Sequence, residues 1–571
     1  MLIKAKNSEN LLEFTRDRKT GQIIEEKQGE YIVNRTYDSE GNCTRITSSL
    51  GADIRHTYDH EGNLQTMQAG ESWQASWVRD NTGLEVQRTF SGGVTVRTER
   101  DCFGREIRKT VRSGNRETGA YHYQWGIANR LLSKENELTG TVTRYDYDRF
   151  DFLIRQETIQ GSETDVIYRV PDFVGNLFET PDKKDRKYGA GGKLLEDPNY
   201  FYHYDDEGNL IFREFKQLQE TGVKFDRKRM EKERGIHFLA TGTGWLYEWS
   251  SNGMLKKVIR PDGRPVEFRY DALGRRTAKQ YFGKVTRWVW DGNVPIHEWG
   301  YKVTDMQPNE EKSAPLKEPT KDITTWVFET GTFVPTAKIQ DGKQYSIVSD
   351  YLGTPIQMYD EQGKKTWECT LDVYGKATTF EGRSLSDCPF RFQGQYEDEE
   401  TGLYYNRFRY YDNNIGSFIS QDPIRLLGGK CLYNYVCNIN SQIDIYGLLK
   451  KGEQPIQPYE VTTYNEFRRK SVKGDGLEGH ELLQNIVLEK EGLASTRFST
   501  DASKNNPVIA LPESIHTEVS AKQIALDTKN MSPMDNIKTN AQILRDAGVP
   551  LDIVDNLENK AIAHAKNNGL H

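Results

Sequence analysis

The stretch YDHEGNLQT, residues 58–66, carries the pattern that decides the fold. An aromatic residue precedes an aspartate, and a glycine follows three residues later. Glycine adopts positive φ without a Cβ clash, so the pattern predicts a tight turn between two strands. Four stretches share its aspartate and glycine, with the aspartates spaced 21 residues apart: Asp38, Asp59, Asp80 and Asp101. The aromatic residue precedes only the first two of these aspartates. The pattern returns at Tyr204, Trp249 and Tyr270. It recurs more loosely at Trp290 and Tyr359. A repeat of about 20 residues holds one hairpin, which must pair with its neighbours to cover its edges.

The composition agrees with a chain of short strands and tight turns. Hydrophobic residues make up 36%, but there are 30 Tyr, 10 Trp and 49 Gly. The net charge of −7 gives no global attraction to nucleic acid or to an anionic membrane. The six cysteines form no CxxC pair, which argues against a zinc knuckle. No apolar run approaches the roughly 20 residues of a membrane-spanning helix, and the N-terminus lacks a signal-peptide pattern.

A second distinctive stretch is GLYYNRFRYYDNNIGSFISQDPIR, residues 402–425. With the repeats it resembles the Rhs proteins and the related toxin-complex C subunits, over roughly residues 20–448. The resemblance implies a spiralling β-shell of antiparallel hairpins around a hollow, one end of it plugged by an Rhs-associated core. The predicted domains are a YD-repeat shell at 1–388, the core at 389–448, and a C-terminal toxin at 449–571. All ten Trp lie between Trp73 and Trp367, so the composition changes before the third region.

The same resemblance implies an aspartic-protease-like self-cleavage after Leu448, with Asp422 and Asp444 in its two sequence elements. The sequence departs from the family pattern at three places, the first of which is Arg425 where the family usually has glycine. Ile445 stands where the family has proline, and Asn434 stands where a second carboxylate is expected. Paired carboxylates must share a proton to activate water. Either Asp444 or Asp412 is a candidate for the missing partner.

Residues 449–571 read as a small α+β domain. PVIALP, residues 507–512, is predicted to be a short apolar strand, and ESIHTEVSAKQIALD, residues 513–527, a helix. Two more helices are expected up to the C-terminus, each ending near a glycine. HELLQNIVLEKEGL, residues 480–493, is compatible with a helix, although Gly479 and His480 can still end a strand.

Two metal chemistries are excluded by spacing. A zincin needs HExxH, because two histidines four residues apart share one helix face; here Gln484 occupies the second position. A zinc deaminase needs a downstream PCxxC element, and no cysteine follows Cys437.

The stretch from Gly479 to His516 resembles toxin nucleases of the HNH/endonuclease VII superfamily, some of which have a ββα-metal fold. The resemblance implies catalytic roles for His480, Glu481 and Asn506. It also implies that His480 and His516 bind a divalent ion, either Mg²⁺, Mn²⁺ or Zn²⁺. Glu481 stands where the family has a second histidine, and Ser520 where a further helix histidine is expected. The alternative for Glu481 is that it provides only first-turn polarity at a helix start.

The sequence thus predicts an Rhs-type polymorphic toxin whose C-terminal domain is a metal-dependent nuclease. Arg468, Arg469 and Lys470 form a basic run for nucleic acid. The implied partners are a cognate immunity protein and a secretion apparatus or carrier spike, with delivery into the cytoplasm of a target cell. Two alternatives remain open. One is an effector of other chemistry, such as an ADP-ribosyltransferase or RNA- or nucleotide-modifying enzyme. The other is a cell-surface protein whose repeats bind carbohydrate or a neighbouring cell.

Overall fold

The structure is a computed structural model that describes residues 2–216, 244–307, 316–425, 431–448, 459–470, 477–494 and 500–570. The chain divides into two compact units, Met1–Lys451 and Gly452–His571. Segment 389–448 belongs to the first unit.

The first unit is built from two large antiparallel sheets in which every strand pairs with the next one along the chain. Each sheet has 16 strands, and a two-stranded ribbon lies between them in sequence. The strands of the first sheet are β1 Lys4–Lys6, β2 Leu11–Arg16, β3 Ile23–Gln28, β4 Tyr31–Tyr37, β5 Cys43–Ser48, β6 Asp53–Tyr58, β7 Leu64–Ala69, β8 Trp73–Arg79, β9 Glu85–Phe90, β10 Val94–Arg100, β11 Glu106–Ser113, β12 Arg116–Trp125, β13 Leu131–Asn136, β14 Thr141–Tyr147, β15 Leu153–Gln160 and β16 Glu163–Tyr168. The ribbon consists of β17 Val170–Pro171 and β18 Leu177–Phe178.

The second large sheet follows the same order of neighbours. Its strands are β19 Lys187–Tyr188, β20 Leu194–Glu196, β21 Tyr200–Tyr204, β22 Leu210–Phe215, β23 Gly244–Trp249, β24 Leu255–Ile259, β25 Pro265–Tyr270, β26 Arg276–Tyr281, β27 Lys284–Asp291, β28 Val294–Lys302, β29 Thr324–Phe328, β30 Pro335–Gln340, β31 Lys343–Ser349, β32 Pro355–Tyr359, β33 Lys365–Leu371 and β34 Ala377–Gly382. A four-stranded sheet completes the unit: β35 Tyr396–Asp398, β36 Leu403–Asn406, β37 Arg409–Asp412 and β38 Ser417–Phe418. Short 3-10 turns lie at Ser91–Gly93, Ile127–Asn129, Ala190–Gly192, Val303–Asp305 and Leu385–Asp387.

The turn of each repeat is held by its aspartate. One carboxylate oxygen of Asp59 accepts the backbone N–H groups of Glu61 at 3.0 Å and Asn63 at 2.9 Å. The Gly62 N–H donates to the Asp59 carbonyl at 3.1 Å, with Gly62 at φ 82°. The glycine therefore occupies the left-handed conformation that the sequence pattern predicts.

The aromatic residue of a repeat binds back to the preceding repeat. The Tyr37 hydroxyl donates to the Ile23 carbonyl at 3.0 Å, and Tyr58 to Cys43 at 2.7 Å. In each pair the acceptor is the first strand residue after the preceding turn. We call this hydrogen bond the repeat tie. It recurs with other donors, pairing Trp125 with Glu106, Tyr147 with Leu131, Tyr270 with Leu255, Trp290 with Arg276, and Arg100 with Glu85.

The two large sheets share one hydrophobic core. Tyr31 of β4 contacts Trp299 of β28 edge to face, with ring centroids 5.4 Å apart. The Trp73 indole donates to the Ser346 hydroxyl at 3.1 Å. Segment 389–448 packs onto both large sheets. Its Tyr405 belongs to the same buried cluster as Trp290 of the second sheet. Its Phe392 and Tyr411 belong to another cluster that includes Leu153 of the first sheet. The predicted mainly β fold of consecutive antiparallel hairpins is confirmed.

The second unit is α+β, as predicted. A three-stranded antiparallel sheet has the order β39–β41–β40, with β39 Val461–Thr463, β40 Leu477–Glu481 and β41 Pro507–Pro512. The helices are α1 Tyr464–Lys470, α2 Asn485–Lys490, α3 Asp501–Lys504, α4 Glu513–Ala525, α5 Pro533–Asp546 and α6 Leu551–Asn567, with a 3-10 turn at Thr528–Asn530. The helical interpretation of residues 480–484 is wrong, because His480 and Glu481 end a strand and the helix starts at Asn485.

Candidate active site

The strand pair β40–β41 places His480 at the centre of the second unit. β41 is almost wholly buried, and His480 lies opposite Ile509 in the register. The residue before His480 is Gly479, and the structure requires a glycine there because a Cβ would lie 2.8 Å from the Phe467 ring. The absence of a side chain lets α1 pack closely on this strand.

Helix α4 supplies the other wall. His516, Ser520 and Gln523 follow one another at spacings of four and three residues, so they share one helix face. They border a pocket of about 410 Å³ together with residues of β40 and α2. The lining residues are Gly479, His480, Glu481, Gln484, Asn485, Ile486, Glu489, His516, Ser520 and Gln523. Three of the predicted site residues therefore meet at one pocket: His480, Glu481 and His516.

His480 is buried and its ring is held on one side by side-chain amides. The Asn540 amide donates to the Leu482 carbonyl at 2.8 Å, and its own oxygen accepts from Gln523 at 3.0 Å. The same Gln523 nitrogen lies 3.1 Å from His480 Nε2. An amide nitrogen can only donate, so Nε2 accepts and the neutral ring carries its proton on Nδ1. Burial, with a smaller contribution from His516, lowers the pKa of His480 to about 3.

The imidazole of His516 contacts that of His480 directly. The ring centroids are 5.5 Å apart with an interplanar angle of 74°. His480 is only 4% exposed, whereas His516 is half-buried. The pair therefore joins a buried ring to a more exposed ring that lines the same pocket.

Glu481 has a structural contact in addition to its place in the pocket. Its carboxylate accepts the Asn485 N–H at 3.1 Å, at the first residue of α2. A carboxylate at a helix N-terminus is favoured by the unpaired N–H groups and by the helix dipole. Glu481 therefore both accepts a hydrogen bond at the start of α2 and lines the pocket.

The other predicted residues lie away from this pocket. Asn506 is fully buried, is not among the lining residues, and donates to the Leu483 carbonyl at 2.7 Å. Arg468 is exposed on α1. Arg469 and Lys470 end that helix, and their side chains lie outside the described residues.

The pocket supplies few ligands for a resident metal. Zinc sites use three or four protein ligands, and the described residues contain no group of three or more His, Cys, Asp or Glu able to hold an ion. His480 Nε2 already accepts a hydrogen bond from Gln523. Mg²⁺ keeps several waters and binds through one or two protein groups plus substrate phosphates. The Glu481 carboxylate fits that requirement, whereas the His516 imidazole suits a softer ion such as Zn²⁺; both residues line the pocket.

Sequence reasoning missed four polar residues of the pocket: Gln484, Asn485, Glu489 and Gln523. Gln523 could have been predicted from the sequence, because it follows His516 by seven residues, or two helical turns, and so lies on the same helix face. The other three lie on or beside α2, and only the packing of α2 brings them to the pocket.

A second cluster of functional interest lies in the first unit, around Arg409. One guanidinium nitrogen of Arg409 lies 3.1 Å from the Asp422 carboxylate and 3.3 Å from that of Asp444. All three side chains are buried. The Leu448 N–H donates to Asp444 at 2.9 Å, and Arg409 Nε donates to the Gly447 carbonyl. The three residues predicted for self-cleavage are thus brought together.

The environment of Asp422 favours its protonated form. Burial raises the pKa of Asp422, and Arg409 opposes that rise. A single guanidinium charge cannot neutralise two buried carboxylates. Asp412, the other candidate partner, instead pairs with Arg213 at 2.7 Å. Asn434, where the family has its second carboxylate, donates to the Gly175 carbonyl. Asp444 is therefore the partner that the fold places beside Asp422.

The repeat architecture of the first unit is shared with known proteins. A YD-repeat shell is the class that the turns, the ties and the two meandering sheets define. The family model "Teneurin YD-shell" matches residues 94–427, and the chain belongs to this family.

Two curated relatives are toxins or nucleases by name. The chain is 28% identical over 477 residues to double-stranded DNA deaminase toxin A of Burkholderia cenocepacia, covering 79% of this chain and 31% of the relative. It is 27% identical over 434 residues to probable deoxyribonuclease RhsB of Dickeya dadantii, covering 73% and 27%. The chain therefore spans about a third of the length of these relatives. The prediction of an Rhs-type YD-repeat chain is confirmed at this level.

A solved structure shows the same fold. The Tc holotoxin pore of Photorhabdus luminescens aligns with a TM-score of 0.54 at 17% identity, covering 79% of this chain and 24% of that one. Among the described residues, no helix combines the length and the apolar character needed to cross a membrane.

Proposed function

We propose that the chain is an Rhs-type toxin of bacterial competition whose C-terminal unit, residues 452–571, is a nuclease. The observation that carries the proposal is the meeting of His480, Glu481 and His516 at one pocket of about 410 Å³. The deoxyribonuclease name of the Dickeya relative supports the same chemistry. An immunity protein, a carrier or secretion apparatus, and delivery into a target cell belong to this proposal.

Phosphodiester hydrolysis needs a group that accepts a proton from water and groups that stabilise charge at the phosphate. Burial keeps His480 neutral, and for this ring to accept a proton the Gln523 amide must release Nε2. The half-buried His516 places a second imidazole beside it. A divalent ion held by Glu481 and His516, when bound, would supply charge stabilisation at the leaving oxygen. Arg468 lies exposed on α1 for contact with a phosphate backbone.

The test is degradation of plasmid DNA and total RNA by the purified chain with Mg²⁺, Mn²⁺, Zn²⁺ or EDTA. We expect metal-dependent cleavage that His480→Ala and His516→Ala each lower by a factor on the order of 10²–10⁴, the usual contribution of a proton-transfer group. His564→Ala is the matched control, because His564 bonds to the Ala502 carbonyl and does not line the pocket. It should retain activity.

A folded chain that degrades neither substrate yet kills cells when its C-terminal unit is expressed would contradict the nuclease proposal. The effector would then be one of other chemistry, such as ADP-ribosyl transfer. A chain that neither cleaves nor kills would favour the cell-surface binding alternative.

We also propose that the chain is cut after Leu448 by Asp422 and Asp444. Both carboxylates contact one nitrogen of Arg409, and Asp444 accepts the Leu448 N–H. Gly447 lies at φ 67°, and a Cβ there would lie 2.8 Å from the Asn406 carbonyl. The backbone just before the predicted cut is therefore held by Asp444 and by Arg409, which also contacts Asp422.

A further inference from the structure

The first unit contains a small cavity, here called the core cavity, between segment 389–448 and the second large sheet. Its volume is about 40 Å³, and Arg276, Arg391, Gln395 and Arg407 line it together with aromatic rings such as that of Trp288. A single water needs roughly 10–15 Å³ on this scale. The core cavity therefore has room for a few non-hydrogen atoms.

The charges around the core cavity do not balance locally. Arg276 pairs with Asp398 at 2.5 Å, and Arg391 pairs with Glu397. Arg407 is 7% exposed and makes one hydrogen bond to a carbonyl, from Nη2 to Leu273 at 3.1 Å. Its Nε and Nη1 have no hydrogen-bond partner. The guanidinium lies over the rings of Trp290 and Phe408. Asp271, whose charge also acts on Arg407, is already paired with Arg275 at 2.6 Å. Buried charges are normally paired, so the two unsatisfied nitrogens point to a further negative group.

The backbone at Arg407 is also unusual. The hairpin β36–β37 pairs Asn406 with Arg409, which leaves Arg407 and Phe408 as a two-residue turn. Arg407 lies at φ 60°, where such turns normally have Gly or Asn. A side chain that breaks a local rule of this kind is expected to have a functional reason.

Gln395 identifies the chemistry further. It is 1% exposed, lines the same cavity, and neither its amide nitrogen nor its amide oxygen has a hydrogen-bond partner. We propose that the core cavity binds a small anion between Arg407 and Gln395. The guanidinium and the amide N–H donate to the anion, and the amide oxygen accepts from a hydroxyl of the anion or from an accompanying water. Chloride, formate and hydrogen carbonate have the required size and charge.

The test is thermal unfolding of the full chain with chloride, formate or hydrogen carbonate added at constant ionic strength against a bulky anion. A ligand that binds only the native state stabilises it in proportion to the logarithm of its concentration above Kd. We expect each small anion that fits to raise the Tm of the first unit's transition, and the largest rise identifies the class. Arg407→Gly should remove the rise without loss of folding, because glycine suits the left-handed turn. Gln395→Leu should weaken the rise.

Arg264→Gln is the matched control, since Arg264 is exposed and lies over the Phe282 ring outside the cavity. It should respond to anions as the unaltered chain does. Crystals grown in bromide give an independent readout, with an anomalous peak expected beside Arg407. Equal anion responses in the unaltered chain and in Arg407→Gly, or a cavity that holds water only, would overturn the proposal.

Discussion

At the scale of single residues, Arg409 organises the region before the predicted cut. It contacts both buried carboxylates and the Gly447 carbonyl, so one side chain sets the geometry of the whole cluster. The sequence alone left Asp412 and Asp444 as equal candidates for the second carboxylate. They differ only in tertiary partners, because Arg213 engages Asp412 and Arg409 engages Asp444.

Asp444→Asn should abolish cleavage after Leu448, because an amide cannot share a proton with Asp422. The measurement is the size of the purified chain on a denaturing gel, with mass spectrometry to locate the cut. Asp412→Asn is the control, since it also removes a buried carboxylate but one that pairs elsewhere. We expect cleavage to persist in that variant. Cleavage at the same bond in Asp444→Asn would rule out the role proposed for Asp444.

The candidate pocket was predictable in part. His480, Glu481 and His516 were recognised from their order in the sequence, and the fold brings them together. Asn506 was placed in the same site by resemblance, but it lies behind the pocket and holds the Leu483 carbonyl. Its position depends on how residues 482–484 leave the strand, and no local pattern encodes that path.

At the scale of the elements, the repeat tie joins each hairpin to the one before it. The turn chemistry was readable from the sequence, because Asp and Gly act within a few residues. The tie could not be read from the sequence, because its acceptor is a backbone carbonyl 14 to 19 residues away and any residue type provides one. The repeat pattern also does not predict that the two large sheets share a core, because that core joins residues far apart in the sequence, such as Trp73 and Ser346.

Tyr37→Phe removes one tie and should lower the free energy of unfolding by about 0.5–1.5 kcal/mol, the usual net value of a hydrogen bond. The measurement is chemical denaturation, followed through the transition of the first unit. Tyr123→Phe is the matched control, because the Tyr123 hydroxyl is buried and has no hydrogen-bond partner. That variant should be neutral or slightly stabilising. An equal loss in both variants would mean that the tie contributes nothing.

At the scale of the whole molecule, each unit has a hydrophobic core of its own. Leu544 is fully buried in the cluster of the second unit, and Leu255 is fully buried in a cluster of the first. Cores without shared residues favour separate unfolding transitions.

Calorimetry should therefore resolve two transitions. Leu544→Ala should destabilise one by about 2–5 kcal/mol, the range for removing a buried leucine. Leu255→Ala should destabilise the other by a similar amount. If both variants moved a single common transition, the cores would be one cooperative system.

The repeat tie has a consequence for how genes of this kind can change length. Where a tie forms, it links the first strand carbonyl of one repeat to the Tyr, Trp or Arg side chain before the next turn, so the acceptor is always the same kind of group and the donor always has the same position. If one entire repeat is excised, the repeats on either side of the gap can form the bond that each had made with the lost one. Removal of half a repeat leaves a carbonyl or a hydroxyl unmatched. We therefore expect related chains to differ in the length of the meander by whole repeats, which are 21 residues long between Asp38 and Asp101.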